Sequence, residues 1–277
     1  MNAAPFENAP PAPAICGIML GMPDPAFIST DFAATGKEID GLRIIDLDRM
    51  AYAPALELQR QIHAQVVAGE APPTVLLLEH DPVITVSRRK SASRHLLASP
   101  QTLGALGIDV QETDRGGDVT YHGPGQLVAY PIVRLAPLGL NVGRYMRLLE
   151  QIIIDAITPF SVRGERDACA TGVWVRMNPA NPAHEANAPR CDLANAAGST
   201  AKIAALGVRL SRNVTLHGLA LNVTTDLSHF NTIVPCGLLN RTVTSLEQVL
   251  GDAVPSMERV KMQLVASLRR HLLTREN

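Results

Sequence analysis

The sequence predicts an α/β or α+β fold in which helices pack on a mixed β-sheet. Short apolar runs typical of strands and longer amphipathic runs typical of helices share the chain, but they do not alternate strictly. A doubly wound parallel sheet requires that alternation, so it is the less favoured architecture. With 277 residues, of which 46% are hydrophobic, the chain is long enough to bury a full core.

The folded part is predicted to begin near Leu42, after a flexible leader. Residues 1–40 are rich in alanine and proline and show no sustained periodicity. No basic residue precedes their short apolar patch, so a secretory signal is not expected. Residues 41–277 are predicted to form one domain.

The first elements follow from periodicity and turn residues. A helix is expected over Tyr52–Ala68, because Leu56, Ile62 and Val66 lie at helical spacing and Gly69 is a stop signal. Two short apolar strands, 75–79 and 83–86, flank the turn at Asp81 and Pro82.

The later elements begin with a helix that Asn141 caps. A capping-box pattern at Thr244 and Glu247 predicts a short helix, and residues 256–273 predict a longer amphipathic one. Residues 177–200, with three prolines and four asparagines, predict a long surface loop. The expected strands between these helices are 172–176, 203–209 and 214–223.

The most informative segment is RGGDVTYHGPGQLVAYP, residues 115–131. Its glycines allow a ligand to approach the backbone closely, while Pro124 stiffens the frame. We expect this loop to feed the strand at 127–130 and to present backbone N–H groups, Arg115 and His122 to a bound group. A plain turn between strands is the alternative.

Two further residues have open alternatives. Lys202 stands in an apolar stretch, either at an edge with its ammonium in water or held inside for a chemical reason. Cys236 lies between Pro235 and Gly237, which is typical of a displayed thiol but also fits a structural cysteine. His122 and His217 have either a structural role or a role as general base.

Composition limits the function classes. The net charge of -1 gives no global attraction to nucleic acid or anionic lipid. No apolar stretch reaches the roughly 18 residues of a membrane span, so we expect a cytoplasmic protein. Four cysteines without CxxC spacing predict neither disulfides nor a zinc site, and no Walker-type loop is present. No metal and no cofactor are therefore predicted.

These motifs resemble the lipoyl(octanoyl) transferase family. The blocks that carry the resemblance are LLLEHDPVITVSRR from Leu76, RGGDVTYHGPGQLVAYPI from Arg115, AKIAALGVR around Lys202, HGLALNV from His217 and IVPCG at Cys236. They occur in the family's order, from about Leu42 to the last helix. Two departures stand out: Ser87 replaces a common glycine before Arg88, and residues 177–200 look like an insertion.

The resemblance implies an acyl transfer in two halves. Octanoyl passes from acyl carrier protein to Cys236, and then to a lysine of the lipoyl domains of 2-oxoacid dehydrogenase complexes or of the glycine cleavage H protein. Lys202 is the implied catalytic partner, because a nearby ammonium favours a thiolate that is scarce in a free cysteine, with its pKa of about 8.5. The implied substrate-binding residues are Arg115, Gly116, Gly117, Asp118, Val119, Thr120, Tyr121, His122, Ala205, Leu206, Gly207, Gly218, Leu219 and Ala220.

The resemblance also implies the α/β architecture shared by the catalytic domains of biotin protein ligases and lipoate ligases. Two rival functions remain open. One is an ATP-dependent lipoate or biotin ligase, which forms an acyl-adenylate and needs no cysteine. The other is a non-enzymatic protein that binds lipoyl domains or carrier protein.

Overall fold

A computed structural model describes residues 37–39, 41–89, 92–177, 200–234 and 241–273. The helices in these ranges are α1 (Tyr52–Ala68), α2 (Pro100–Ala105), α3 (Val142–Ile157), α4 (Leu246–Leu250) and α5 (Met257–Leu272). The strands are β1 (Lys37–Ile39), β2 (Leu42–Met50), β3 (Thr74–His80), β4 (Val83–Ser87), β5 (Asp109–Thr113), β6 (Val119–His122), β7 (Gln126–Ile132), β8 (Glu165–Arg166), β9 (Val173–Arg176), β10 (Thr200–Ser211), β11 (Val214–Asn222) and β12 (Thr242–Val243).

Two mixed sheets organise the described residues. The larger has the strand order β1-β2-β3-β7-β11-β10-β9-β8, with β12 paired to β10, and the smaller has the order β5-β4-β6. The pairs β2–β3, β10–β12 and β4–β5 are parallel, whereas the others are antiparallel. The predicted mixed sheet with packed helices is confirmed.

Helices cover both faces of the larger sheet. On one face, Leu149 of α3 and Leu264 of α5 belong to the same buried cluster as Leu219 of β11. On the other face, Ile62 of α1 packs in a cluster with Leu76 of β3. Since successive side chains of a strand point to opposite faces, the near-continuous apolar runs of β3 and β7 fit strands buried on both sides.

Helix caps follow the sequence closely, with one correction. The side chain of Asn141 accepts a hydrogen bond from the backbone N–H of Arg144, as predicted. The predicted cap at Thr244 is wrong: Ser245 caps α4 and accepts from the N–H of Gln248. Thr244 lies between β12 and this cap, and its N–H donates to the carbonyl of Lys202 at 2.9 Å.

The beginning of the fold also differs from expectation. Residues 37–39 of the predicted leader form β1, which pairs with β2, so pairing starts before Leu42. Residues 1–36 and most of the predicted long loop, 178–199, lie outside the described residues. Among the described helices, none has the length and apolarity needed to cross a membrane.

Candidate active site

A narrow pocket lies over the middle of the larger sheet. Its floor includes two neighbouring cross-strand pairs of small residues, Ala205 with Ala220 and Gly207 with Gly218. Because positions two apart in a strand share a face, all four residues line the same side of the sheet. A surface so poor in side-chain atoms leaves room for a slender ligand.

The glycine segment forms the opposite wall of the pocket. The N–H of Gly116 donates to the carbonyl of Val208 at 2.9 Å, which ties the segment to β10. A Cβ at Gly207 would lie 2.6 Å from the carbonyl oxygen of Gly116, so only glycine permits this approach. The segment was predicted as a loop, but residues 119–122 within it form the strand β6.

Arg115 holds the glycine segment to the smaller sheet. Its guanidinium donates to the carbonyl of Thr85 at 2.9 Å and to that of Asp118 at 3.0 Å. The side chain therefore anchors the frame as well as lining the pocket.

The pocket gathers most of the implied substrate-binding residues. Tyr121 faces away from it, and its hydroxyl lies 2.7 Å from Nδ1 of His229. Gly116 contributes its backbone to the wall but is not a lining residue. The lining residues are Tyr52, Arg115, Gly117, Asp118, Val119, Thr120, His122, Tyr130, Ala205, Leu206, Gly207, His217, Gly218, Leu219 and Ala220.

His122 is buried and held by Gln126. Its Nδ1 lies 2.7 Å from Oε1 of Gln126, whose amide nitrogen donates to Oδ1 of Asn222. Burial lowers the pKa of His122 to about 3. At neutral pH this histidine is therefore uncharged and a weak base, which favours the structural role over general base catalysis.

A second buried histidine, His80, supports the same wall. Its Nδ1 lies 2.8 Å from the carbonyl oxygen of Met50, which only accepts, so Nδ1 carries the proton. Burial lowers the pKa of His80 to about 4, and the uncharged ring accepts at Nε2 from the hydroxyl of Tyr130 at 2.7 Å. Because the hydroxyl of Tyr130 donates its hydrogen to His80, it can only accept hydrogen bonds from a group in the pocket.

Acidification should destabilise the protein through these two histidines. Their folded pKa values, about 4 for His80 and about 3 for His122, lie below the value of 6.5 of an unperturbed histidine. The unfolded chain therefore takes up protons first. Their stabilising effect is complete above pH 6.5 and is lost progressively as the pH falls below it.

We expect the free energy of unfolding to fall by about 1.4 kcal/mol per pH unit for each histidine between pH 6.5 and 4. Urea denaturation at a series of pH values measures this slope. His122→Gln should make this slope shallower by one histidine's share. An equal slope in wild type and His122→Gln would contradict the assignment.

His217 reaches the pocket from a strained backbone position. Its φ of 60° is left-handed, and its Nε2 lies 2.7 Å from Oδ1 of Asp114. Burial lowers the pKa of His217 in spite of that carboxylate, while the hydrogen bond from His217 holds the pKa of Asp114 well below its usual range. Arg209 also pairs with Asp114. The hydrogen bond between His217 and Asp114 fixes this histidine in the pocket wall, which favours a structural role for it.

Lys202 is inside the protein, so the edge alternative is wrong. The residue is 6% exposed, and its Nζ donates to the carbonyl of Thr171 at 2.9 Å. The same Nζ lies 4.8 Å from the centre of the Trp174 ring. Along the backbone of β10, Lys202 lies three residues, or about 10 Å, from Ala205 in the pocket floor.

Cys236 lies outside the described residues. The described residue that follows its segment, Arg241, places its guanidinium carbon 4.0 Å from the centre of the Trp174 ring and pairs with Asp167. Lys202 and Arg241 thus share one aromatic ring.

Several residues around the site were not singled out by the sequence. His80, Tyr130 and Trp174 are buried in strands, where their apolar neighbours made them resemble core residues. A histidine followed by Asp-Pro at the end of an apolar strand is the sequence signal that marks His80. Among the described residues, no group of three or more histidines, cysteines or carboxylates could hold a metal ion.

Comparisons with known proteins find relatives that match most of this chain. Residues 51–269 match the model of the lipoyl protein ligase A/B catalytic domain. An octanoyltransferase of Chloroflexus aurantiacus is 46% identical over 223 residues, which cover 80% of this chain and 90% of that protein. An octanoyltransferase of Acidobacterium capsulatum is 42% identical over 227 residues, covering 79% and 85%.

Solved structures show the same fold at low identity. A bipartite lipoate protein ligase from Thermoplasma acidophilum has a TM-score of 0.58 at 13% identity, with 85% of each chain covered. A lipoate-protein ligase A bound with ATP has a TM-score of 0.55 at 13% identity, covering 85% of this chain and 87% of that one. The predicted lipoate-ligase architecture is confirmed.

Proposed function

This chain belongs to the octanoyltransferases with a lipoyl protein ligase A/B catalytic domain, and on that premise we propose that it transfers octanoyl from acyl carrier protein to lipoyl-domain lysines through Cys236. The chain is an acyltransferase, and the donor, the acceptor and the acyl-enzyme are the parts proposed here.

In the first half-reaction, the Cys236 thiolate attacks the carbonyl carbon of the carrier thioester. A thioester forms on Cys236, and the departing carrier thiolate takes a proton from Lys202. In the second half, an acceptor lysine attacks this thioester, gives a proton to Lys202 and leaves as an amide, which restores the thiolate. A thioester exchange followed by amide formation needs no ATP.

The buried ammonium of Lys202 is the observation that carries the proposal. Removing an ammonium from water is costly unless specific partners stabilise it. Here a carbonyl oxygen and an indole ring hold the charge, on the strand that also supplies the pocket floor. A buried ammonium in this place is explained if it stabilises a nucleophile that must be an anion at neutral pH.

Chain connectivity is compatible with a reaction at this ammonium. Cys236 precedes Arg241 by five residues, and five extended residues span at most about 18 Å. Arg241 and Lys202 lie on the same Trp174 ring. Covalent reach therefore allows the Cys236 sulfur to approach Lys202.

The decisive experiment looks for the acyl-enzyme. The protein is incubated with octanoyl-acyl carrier protein without nucleotide, and intact-mass and peptide mass spectrometry follow. We expect one octanoyl group on Cys236 and none on Cys169, the exposed cysteine in the described part of the chain. No adduct without ATP, together with lipoyl-domain modification in its presence, would support a ligase instead.

The pocket floor predicts a dependence on acyl length. Each methylene buried in an apolar slot contributes about 0.8 kcal/mol, or roughly a fourfold change in rate or affinity. Ala205→Leu should fill part of the slot and lower kcat/KM for the eight-carbon donor at least about tenfold, with a smaller loss for the six-carbon donor. Leu210→Ala, at an exposed position of the same strand, is the control. Equal losses for both donors would argue against a role in gauging length.

The proposed acceptors are the lipoyl domains of 2-oxoacid dehydrogenase complexes and the glycine cleavage H protein. The Thermoplasma ligase with the same fold was studied together with its E2 lipoyl domain. A cytoplasmic location, where carrier protein and acceptors meet, belongs to the same proposal.

A further inference from the structure

One peptide group beside the pocket connects a carboxylate to the Lys202 ammonium. The carbonyl of Thr171 accepts from Nζ of Lys202 at 2.9 Å. The N–H of the same peptide, which belongs to Gly172, donates to Oε1 of Glu150 at 3.1 Å. The two ends of a single peptide dipole therefore face a negative and a positive side chain.

Glu150 is itself wholly buried, and two arginines hold it. Its exposure is 0%, and its Oε2 lies 2.8 Å from Nη1 of Arg147 and 3.3 Å from Nε of Arg166. With Oε2 bound to guanidinium groups, Oε1 is directed to the 171–172 peptide. A buried carboxylate is weak evidence of a contribution to stability, so its retention inside α3 calls for another reason.

Packing fixes the peptide from the other side as well. Gly172 has a φ of 136°, and a Cβ there would lie 2.9 Å from Cε of Lys202 and 2.8 Å from the carbonyl oxygen of Ala204. The backbone of Gly172 therefore lies directly against the lysine stem. A shift of this peptide would move the acceptor of Nζ and the wall that confines the stem together.

We propose that Glu150 is a positioning residue, which holds the Thr171–Gly172 peptide so that its carbonyl keeps the Lys202 ammonium in place. The inference rests on the proposed role of Lys202. A carboxylate on the N–H side polarises the peptide and makes its carbonyl a stronger acceptor, because linked hydrogen bonds reinforce one another. Arg147 and Arg166 balance the negative charge of Glu150 at Oε2. None of the contacts described above joins either arginine to the 171–172 peptide.

The test is the pH titration of the Lys202 side chain, followed by 13C-lysine NMR and assigned with Lys202→Arg. Glu150→Gln keeps a hydrogen-bond acceptor but removes the charge. The titration midpoint of Lys202 should fall by about 1.5 pH units, as expected for unit charges about 8 Å apart at an effective dielectric near 20.

Glu165→Gln is the matched control. Glu165 lies in the same arginine-rich region, 3.1 Å from Arg176, but no hydrogen bond described for it reaches the 171–172 peptide. In Glu165→Gln, the titration midpoint of Lys202 should stay close to the wild-type value. Equal shifts in the two variants would show a general charge effect and overturn the proposal, as would an unshifted midpoint in Glu150→Gln.

If Glu150→Gln fails to fold, Arg147→Gln replaces it, since the Arg147 side chain is 52% exposed. Arg147→Gln removes one of the two positive charges that balance Glu150. The titration midpoint of Lys202 should then stay unchanged or rise. A fall in this midpoint would overturn the inference.

Alkylation of Cys236 separates this inference from the proposed function. Lys202→Ala should change the alkylation midpoint less in the Glu150→Gln background than in wild type, because the two residues act together. Equal effects in both backgrounds reject the role of Glu150 alone. No effect of Lys202→Ala in either background rejects the role of the lysine.

Discussion

Cys236→Ser is expected to abolish octanoyl transfer, with kcat/KM at least about 10⁴-fold lower, the scale seen when a covalent nucleophile is removed. A serine hydroxyl is essentially un-ionised at neutral pH, and an ammonium neighbour does not bring it near ionisation. The assay follows octanoylation of a purified lipoyl domain by mass spectrometry, with octanoyl-acyl carrier protein as donor.

Cys169→Ser is the control for this substitution. Cys169 is exposed, and its N–H donates to Oδ1 of Asp167 through the backbone, which serine preserves. This variant should keep both the acyl adduct and the transfer activity. Full activity in Cys236→Ser would remove the acyl-enzyme from the mechanism and favour either rival function, ligase or binder.

Lys202→Ala is expected to have the second-largest effect, a loss of about 10²- to 10³-fold in transfer, which is the range of a positioned proton donor and acceptor. Without the ammonium, the thiol ionises less readily. The pH midpoint of Cys236 alkylation by iodoacetamide should therefore rise by up to about two units.

Lys261→Ala is a suitable comparison, because Lys261 is as deeply buried as Lys202. It is 6% exposed and lies 2.8 Å from Oδ2 of Asp46, away from the pocket residues. Its loss should lower stability but leave the alkylation midpoint unchanged. A shift of similar size in both variants would mean that the midpoint follows global stability and not the local ammonium.

Much of the fold was predictable because it depends on local periodicity. α1, α3 and α5 have apolar stripes and end signals that fix them in the sequence, and the mixed sheet follows from runs that fail to alternate. β2 was missed, since its charged residues at Asp46, Asp48 and Arg49 interrupt the apolar pattern.

The candidate site was less predictable than the fold, and the reason is physical. Motif residues such as Gly207 announce a close approach, but only the register shows that Gly207 lies opposite Gly218. Glu150 and Lys202 are 52 positions apart in the sequence. Their connection runs through a backbone peptide, and no side-chain pattern records such a contact.

The indole shared by Lys202 and Arg241 also offers a spectroscopic use. The chain contains a single tryptophan, Trp174, so all of its intrinsic indole emission arises beside the proposed nucleophile's cation. Indole emission responds to nearby charge and to water. Stopped-flow fluorescence of the unlabelled enzyme can therefore time acyl loading and unloading separately, with no dye and no engineered reporter.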